Sequence, residues 1–449
     1  MKICLAVHCF LPEHFYGTEA YTHQLARHLL GWGHDVVVLT ANFVGEPTLP
    51  TPIQRYLVDG IQVVRLDKNR LPHHCVAETY LQPSMAPILR EVMEAERPDL
   101  LHVTHLINLT ASLLDVARDL GIPAVATMTD FFGFCYTNRL EDVKGALCAG
   151  PLPSRSNCLA CYLGARWLHG SRLPAVLTQP LRWLIPPLAA GLMRARSLPE
   201  PLVRRLEPLR RGLRERPGAL AERYRHYRAV ITPTRFLAKA YRANGLATPM
   251  VASWFGVDID RAAKPSRPPG VPLRIGYIGQ LAEHKGVDLL VRAFRQLPPG
   301  GAELVLYGSL DQSPTYGARL QRLSRGRAVR FAGTFPQKAL AAALAELDVL
   351  VVPSRWYENS PLVLLSALAC HTPVIVADVE GMTEFLREGV NGFHFRRGSW
   401  RDLGRVLRRF LDRPGLAAEL SRTTEFRRTT AAMAHDVVTL YERVLNEDA

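Results

Sequence analysis

The 449-residue chain reads as an α/β protein of two doubly wound domains, the first carrying a basic helical insertion. Three observations carry that prediction. Apolar strand-length runs alternate with amphipathic stretches from Lys2 onward, and a second such series begins at Leu273. Residues 264–270 (Lys-Pro-Ser-Arg-Pro-Pro-Gly) form a linker by composition between the two series. A hydrophobic content of 48% supports sizeable cores, and two domains fit the length.

In the first series, residues 2–10 are a strand, a loop runs to Glu19, and a helix starts near Ala20 with Tyr21, Leu25, Leu29 and Leu30 on one side. Residues 35–40 are the next strand. This βαβ unit has no full GxGxxG, so it is no dinucleotide fingerprint. Gly17 is either a turn glycine or a glycine where ligands dock after the first strand of such a sheet. Further along, 61–66 is a strand, 83–96 a helix, 100–106 a strand, 110–120 a helix and 122–128 a strand. That last strand ends at Thr129-Asp130-Phe131-Phe132, placing Asp130 at a carboxyl edge. There it is either an N-cap or turn aspartate or a functional carboxylate.

The alternation then breaks. Cys135, Cys148, Cys158 and Cys161 form C-x12-C-x9-C-x2-C in a loop rich in Gly, Pro and Ser. This spacing admits a structural zinc or an iron–sulfur cluster, or else free thiols. Cys4, Cys9, Cys75 and Cys370 have the apolar surroundings of packed thiols. Between Arg166 and Arg242 stand 17 Lys or Arg against 4 Glu, a local balance of +13 in a chain whose total is +14. Such a surface calls for an anionic partner. Leu181, Trp183, Leu184, Ile185, Leu188, Leu192 and Met193, flanked by Arg182, Arg194 and Arg196, read as a membrane-surface element that Pro186-Pro187 interrupts. An ordinary helical insertion with a solvated arginine face is the alternative. Nucleic acid is disfavoured, because no aromatic platform accompanies the arginines. No stretch near the middle is long enough to span a bilayer. Met1-Lys2-Ile3 enters a strand directly, so no signal peptide is expected. A cytoplasmic protein is expected, and the insertion leaves attachment to the inner face of the cell membrane open.

In the second series, 274–278 is a strand, followed by Gly279-Gln280-Leu281 and Lys285-Gly286, a helix over 287–297 and a strand over 303–307. Lys285 is either solvated or a point charge for a phosphate. The apolar run 347–352 is a buried parallel strand, and it leads into Pro353-Ser354-Arg355-Trp356-Tyr357-Glu358-Asn359-Ser360-Pro361. Asn359 or Ser360 is expected to cap the next helix, with Pro361 in its first position. The free amides of Leu362 and Val363 then make an anion site beside Glu358. A carboxylate does not attract an anion but accepts from hydroxyls next to one. Phosphate beside polyol points to a sugar nucleotide.

Taken together, Gly17-Thr18-Glu19, Gly33-His34-Asp35-Val36, Thr129-Asp130-Phe131-Phe132, Gly279-Gln280-Leu281, Lys285-Gly286, 356–361, 381–384 and 389–392 resemble glycosyltransferase family 4. The cysteine-bearing loop is also similar to one in some members. The resemblance implies the GT-B fold, two facing Rossmann-like domains: 1–255 on the acceptor side, with the cysteine loop at 135–161 and the insertion at about 164–228, and 270–424 binding the nucleotide sugar. It implies that a C-terminal helix, about 425–449, crosses back, for which Met433, Val437, Leu440, Tyr441 and Val444 supply an apolar face. It implies retaining transfer of a hexosyl group from a nucleotide diphosphate donor to a lipid-linked or polysaccharide acceptor, with no metal needed for catalysis. Glu358 would meet the sugar hydroxyls, Lys285, Leu362 and Val363 the diphosphate, and Asp130 the reacting centre. Gly17, Gln280, Asn359, Ser360 and Ser366 would line the donor site.

Three positions depart from the family pattern. Ser366 stands where a second glutamate grips the ribose, Thr129 where a histidine is frequent, and Gln280 where an arginine is usual. They define the alternative reading, a degenerate GT-B protein that binds a sugar nucleotide or a partner enzyme without turnover.

Overall fold

The structure is a computed structural model and describes residues 1–168, 175–195, 199–259 and 270–447. Most of the expected linker (264–269) and Arg196 lie outside the described residues. The chain forms two compact units, Met1–Trp254 with Ala431–Ala449, and Phe255–Thr430.

The first unit is built on β1 (Lys2–Ala6), α1 (Gly17–Gly31), β2 (Asp35–Asn42), β3 (Ile53–Val58), β4 (Ile61–Asp67), α2 (Ala86–Glu96), β5 (Leu100–Val103), α3 (Ser112–Asp119) and β6 (Ala124–Thr127). There follow α4 (Ser156–Leu168), α5 (Ala175–Arg194), α6 (Glu200–Tyr224), β7 (Tyr227–Thr232), α7 (Arg235–Ala243) and β8 (Met250–Ala252). Among the described residues the strands order as β3-β4-β2-β1-β5-β6-β7-β8, parallel except for the β3/β4 hairpin. Strand order reverses between β1 and β5, so a ligand crevice is expected at their carboxyl ends. β1, β5 and β6 read as apolar runs because both sheet faces are covered. The hairpin turns on Asp59 (φ 50°) and Gly60 (φ 79°), an Asp-Gly pair suited to a two-residue turn.

The insertion differs from its sequence reading in one respect. α5 runs unbroken through Pro180, Pro186 and Pro187. Each internal proline costs a helix about 3 kcal/mol. Ile185, Ala189 and Met193, one turn apart, offset this by packing on Leu159 and Leu163 of α4 and on Leu209 and Leu213 of α6.

The second unit comprises β9 (Leu273–Ile278), α8 (Val287–Phe294), β10 (Ala302–Tyr307), α9 (Pro314–Ser324), β11 (Val329–Gly333), α10 (Leu340–Ala345), β12 (Val349–Val352) and α11 (Leu362–Ala369). It ends with β13 (Val374–Ala377), β14 (Gly392–Phe395), α12 (Trp400–Asp412) and α13 (Leu416–Thr423). Its strands order as β11-β10-β9-β12-β13-β14, all parallel, with the reversal between β9 and β12. The loops leaving those two strands, residues 279–286 and 353–361, therefore flank the switch point.

The closing helix α14 (Thr430–Glu447) packs within the first unit. Met433, Val437, Leu440, Tyr441 and Val444 are buried, and the Tyr441 hydroxyl lies 2.5 Å from Nδ1 of the fully buried His102. The other ring nitrogen of His102 bonds Thr127 Oγ1 at 2.8 Å. Burial lowers the His102 pKa to about 3, so the ring is neutral and both nitrogens are satisfied.

Candidate active site

The loop after β12 is fixed before it reaches Glu358. Arg355 Nη2 donates to both carboxylate oxygens of Asp288, at 2.9 and 3.0 Å, and Asp288 on α8 also accepts from Tyr316 Oη (2.8 Å) and Arg319 (3.2 Å). Two glycines let backbone pass closely: a Cβ on Gly286 would lie 2.1 Å from Pro353 O, and one on Gly381 1.7 Å from Glu358 O. The loop is thus clamped from both sides.

Glu358 is buried, yet ionised by design of its neighbours. Its Oε1 accepts from Lys285 Nζ (2.7 Å), Ser354 Oγ (2.5 Å) and Trp356 Nε1 (2.9 Å). Burial opposes the charge, but the Lys285 ammonium and the three donors outweigh it and hold the carboxyl below its ordinary value. All three donors converge on Oε1, so Oε2 keeps its lone pairs for another donor. Lys285 also stands 5.2 Å from the Trp356 ring centre.

Next to this pair the chain takes a strained step. Ser360 has φ 62°, is 2% exposed, and its Oγ has no hydrogen-bond partner among the described residues. The expected cap by Asn359 or Ser360 is therefore corrected: the N-cap of α11 is Pro361, and the helix opens at Leu362. With Ser360 in the left-handed region its hydroxyl does not fold back on the first turn. The amides of Leu362 and Val363, in the first turn, have no intrahelical acceptor. A strained residue with an orphan hydroxyl at a helix N-terminus is a common mark of a ligand site.

Other residues singled out in the sequence fall around this point. Gln280 is half-buried after β9, its carbonyl taking a 2.7 Å bond from Tyr277 Oη. Ser366 is buried one turn into α11. Both belong to the same unit as Glu358 and Lys285.

Asp130 and Gly17 belong to the first unit. Asp130 Oδ2 meets His105 Nε2 at 2.7 Å, and its Oδ1 accepts from Phe132 N at 2.9 Å. Ile107 N–H points at His105 Nδ1 (3.0 Å), which assigns the ring proton to Nε2 and makes His105 a donor to Asp130. The His8 ring lies 4.3 Å from that of His105, and His8 Nε2 is 3.5 Å from Oε1 of the buried Glu19. Burial lowers the His8 pKa and raises that of Glu19. None of His8, Glu19 or His105 was singled out from sequence for a role in the site. Each follows or opens an element beside the β1/β5 switch point, and strand order was the signal needed. Thr129 donates to Thr104 O at 2.9 Å, and the imidazole beside Asp130 is that of His105, from the loop after β5. Gly17 is exposed at the start of α1.

The four cysteines offered as ligands carry no disulfide. Each thiol has its own local partner: Thr137 for Cys135, Gly150 for Cys148, Asn157 for Cys158 and Glu141 O for Cys161. Among the described residues no group of three or more His, Cys, Asp or Glu is arranged to hold a metal ion. Burial and then the thiols of Cys135, Cys158 and Cys148 push the Cys161 thiol up, so the four sulfurs share one neighbourhood, and the ligand set Cys135, Cys148, Cys158 and Cys161 stands as an expectation.

Comparison with known proteins adds an independent line. Residues 258–426 match the model for glycosyl transferases group 1, and residues 15–140 that for Glycosyltransferase Family 4. D-inositol 3-phosphate glycosyltransferase of Corynebacterium aurimucosum is 32% identical over 32% of this chain and 36% of its own. Glycogen synthase of Mycobacterium tuberculosis is 29% identical over 39% and 43%. These alignments span less than half the length of the relatives. Among solved structures, sucrose-phosphate synthase from Thermosynechococcus elongatus matches with a TM-score of 0.66 at 18% identity, covering 99% of each chain. Anabaena HepE in complex with UDP-glucose matches at 0.60 and 14%, covering 99% of this chain and 100% of its own. At such identities the likeness establishes the fold.

Proposed function

Because the chain belongs to the group 1, family 4 glycosyltransferases of GT-B type, we propose that it moves a hexosyl group from a nucleotide diphosphate donor to a lipid-linked or polysaccharide acceptor, with retention. The observation that carries the reading is the Glu358–Lys285 pair set beside the opening of α11 and the unpartnered Ser360 hydroxyl. As the sugar departs, negative charge grows on the diphosphate. The Leu362 and Val363 amides and the Lys285 ammonium are the groups that meet it, an electrostatic role that asks for no metal. Glu358, its Oε1 saturated, offers Oε2 to a sugar hydroxyl. Asp130, oriented by His105, accepts from the incoming hydroxyl of the acceptor.

Neighbours solved with UDP-glucose and with ADP support a nucleotide-sugar donor. We place the reaction in cell-surface polysaccharide assembly at the inner face of the membrane, supported by the basic insertion. No helix among the described residues is long and apolar enough to cross a membrane. The test is a thermal-shift screen of nucleotide sugars followed by donor hydrolysis. One intact donor should raise the midpoint beyond its free nucleoside diphosphate, with about 2.7 kcal/mol of stabilisation at a hundred times Kd. If no nucleotide sugar shifts the midpoint, the reading fails. Ser366, buried where the family has a glutamate, favours a second reading, binding without turnover. Donor binding with no hydrolysis and no transfer would select it.

A further inference from the structure

The outward face of α5 is the feature that sugar transfer leaves unused. A surface helix ordinarily turns charge to water. Here every exposed residue between Pro180 and Met193 is Pro, Leu, Trp or Gly, while Arg182 is partly buried. Trp183 is 65% exposed, Leu184 64%, Leu188 46% and Leu181 40%. The helix is held by its other face, on Ile185, Ala189 and Met193. Apolar residues on both sides exceed what a monomer's core asks for.

Cations ring this face. Arg210 and Arg214 of α6 donate to the Met193 and Ala195 carbonyls (3.2–3.3 Å), which fastens their guanidinium groups beside the end of α5, where both also pair with Glu207 (3.3 and 3.7 Å). Lys144 Nζ sits 4.1 Å over the Trp183 ring. Arg166, Arg194 and Arg205 are exposed and have no carboxylate partner among the described residues.

We propose that α5 lies in the plane of an anionic phospholipid bilayer, Trp183, Leu184 and Leu188 entering the interface and the arginines meeting headgroup phosphates. A second copy of this chain is a poor occupant, since it would bring the same +13 balance against itself. Nucleic acid would satisfy the arginines and leave the apolar face in water. A bilayer interface satisfies both. That this docking would present a lipid-borne acceptor rests on the function proposed above.

The assay uses vesicles of phosphatidylcholine alone or with one-third phosphatidylglycerol, and no donor, so its failure and a failure of sugar transfer are separate results. Binding should appear only with the anionic lipid. It should weaken as salt shortens the screening length from about 10 Å at 0.1 M to about 3 Å at 1 M. Arg194→Gln and Arg205→Gln should each lower partition about fivefold. The triple variant Trp183→Ser, Leu184→Ser, Leu188→Ser should lower it at least about tenfold, with an unchanged circular-dichroism spectrum because those side chains are already in water. Lipids brominated in the acyl chain should quench wild-type fluorescence more than that of Trp183→Phe, a comparison that holds even if the triple variant misfolds. Equal binding to neutral and anionic vesicles, equal quenching of both proteins, or a lipid-free dimer abolished by the serine substitutions would each overturn the proposal.

Discussion

Replacing Glu358 by Gln tests the centre of the proposed chemistry. The substitution keeps the shape but changes what each atom offers. Gln Oε1 can still accept from Ser354 and Trp356, but without charge, and Lys285 loses its anion at 2.7 Å. The atom replacing Oε2 becomes an NH2, which donates where the sugar hydroxyl also needs to donate. Hydrogen bonds to an ionised acceptor contribute about 1.5–3 kcal/mol. Lost in the transition state, that range lowers turnover from about tenfold to about 150-fold at about 1.4 kcal/mol per decade. The assay is a paired calorimetric titration of nucleoside diphosphate and intact donor against both proteins. Donor affinity should fall while diphosphate affinity holds, or improves because Lys285 is released. Equal losses for the two ligands would refute the assignment of Glu358 to the sugar. The same substitution carries a pH signature. The folded carboxyl is held below its unfolded value, so its stabilisation is full above the ordinary value of about 4.3 and is lost as pH falls through the lowered one. The gap in thermal midpoint between wild type and Glu358→Gln should therefore be widest at neutral pH and close in acid.

Lys285→Ala should weaken both diphosphate binding and turnover, and it leaves Glu358 buried with two neutral donors; unchanged diphosphate affinity by calorimetry would count against its phosphate role. Ser366→Glu places a carboxylate where the family grips a ribose and should tighten nucleoside diphosphate binding several-fold, since two charge-assisted bonds replace one neutral bond; weaker binding would show a site remodelled around serine. Asp288→Asn removes the anion that the part-exposed Arg355 and Arg319 share, and losing charge-assisted bonds of this kind costs about 1.5–3 kcal/mol, read as a fall in the denaturant midpoint at unchanged slope.

What the sequence made legible was local. The apolar run before Pro353 announced β12, and the carboxylate, proline and leucine repeat after it announced a loop and a helix, which is where Glu358 and α11 stand. What it hid depended on partners distant in the chain. Pro186-Pro187 reads as a break because the cost of proline is visible in sequence, whereas the packing of Ile185 and Ala189 on α4 and α6 is not. Ser360 reads as a cap because serine prefers that position, and nothing local in the sequence announces its left-handed φ of 62°. The Asp59-Gly60 turn was a local signal, overlooked because β3 alternates too weakly to stand out. His105 and Asp130 are 25 residues apart, and only the β5–β6 pairing makes them neighbours.

The placement of α14 bears on how the protein is made. Trp254 leaves the ribosome with its sheet still lacking a helix, and the whole of Phe255–Thr430 is synthesised before Ala431 follows. At 5–20 residues per second this is a wait of about 10–35 s. For that time His102 has no Tyr441 to bond, and the apolar bed that Met433, Val437 and Val444 will cover is open to water. The nascent first unit thus suits chaperone binding, and a ribosome stalled within Phe255–Thr430 would leave behind a complete sheet with one apolar bed uncovered.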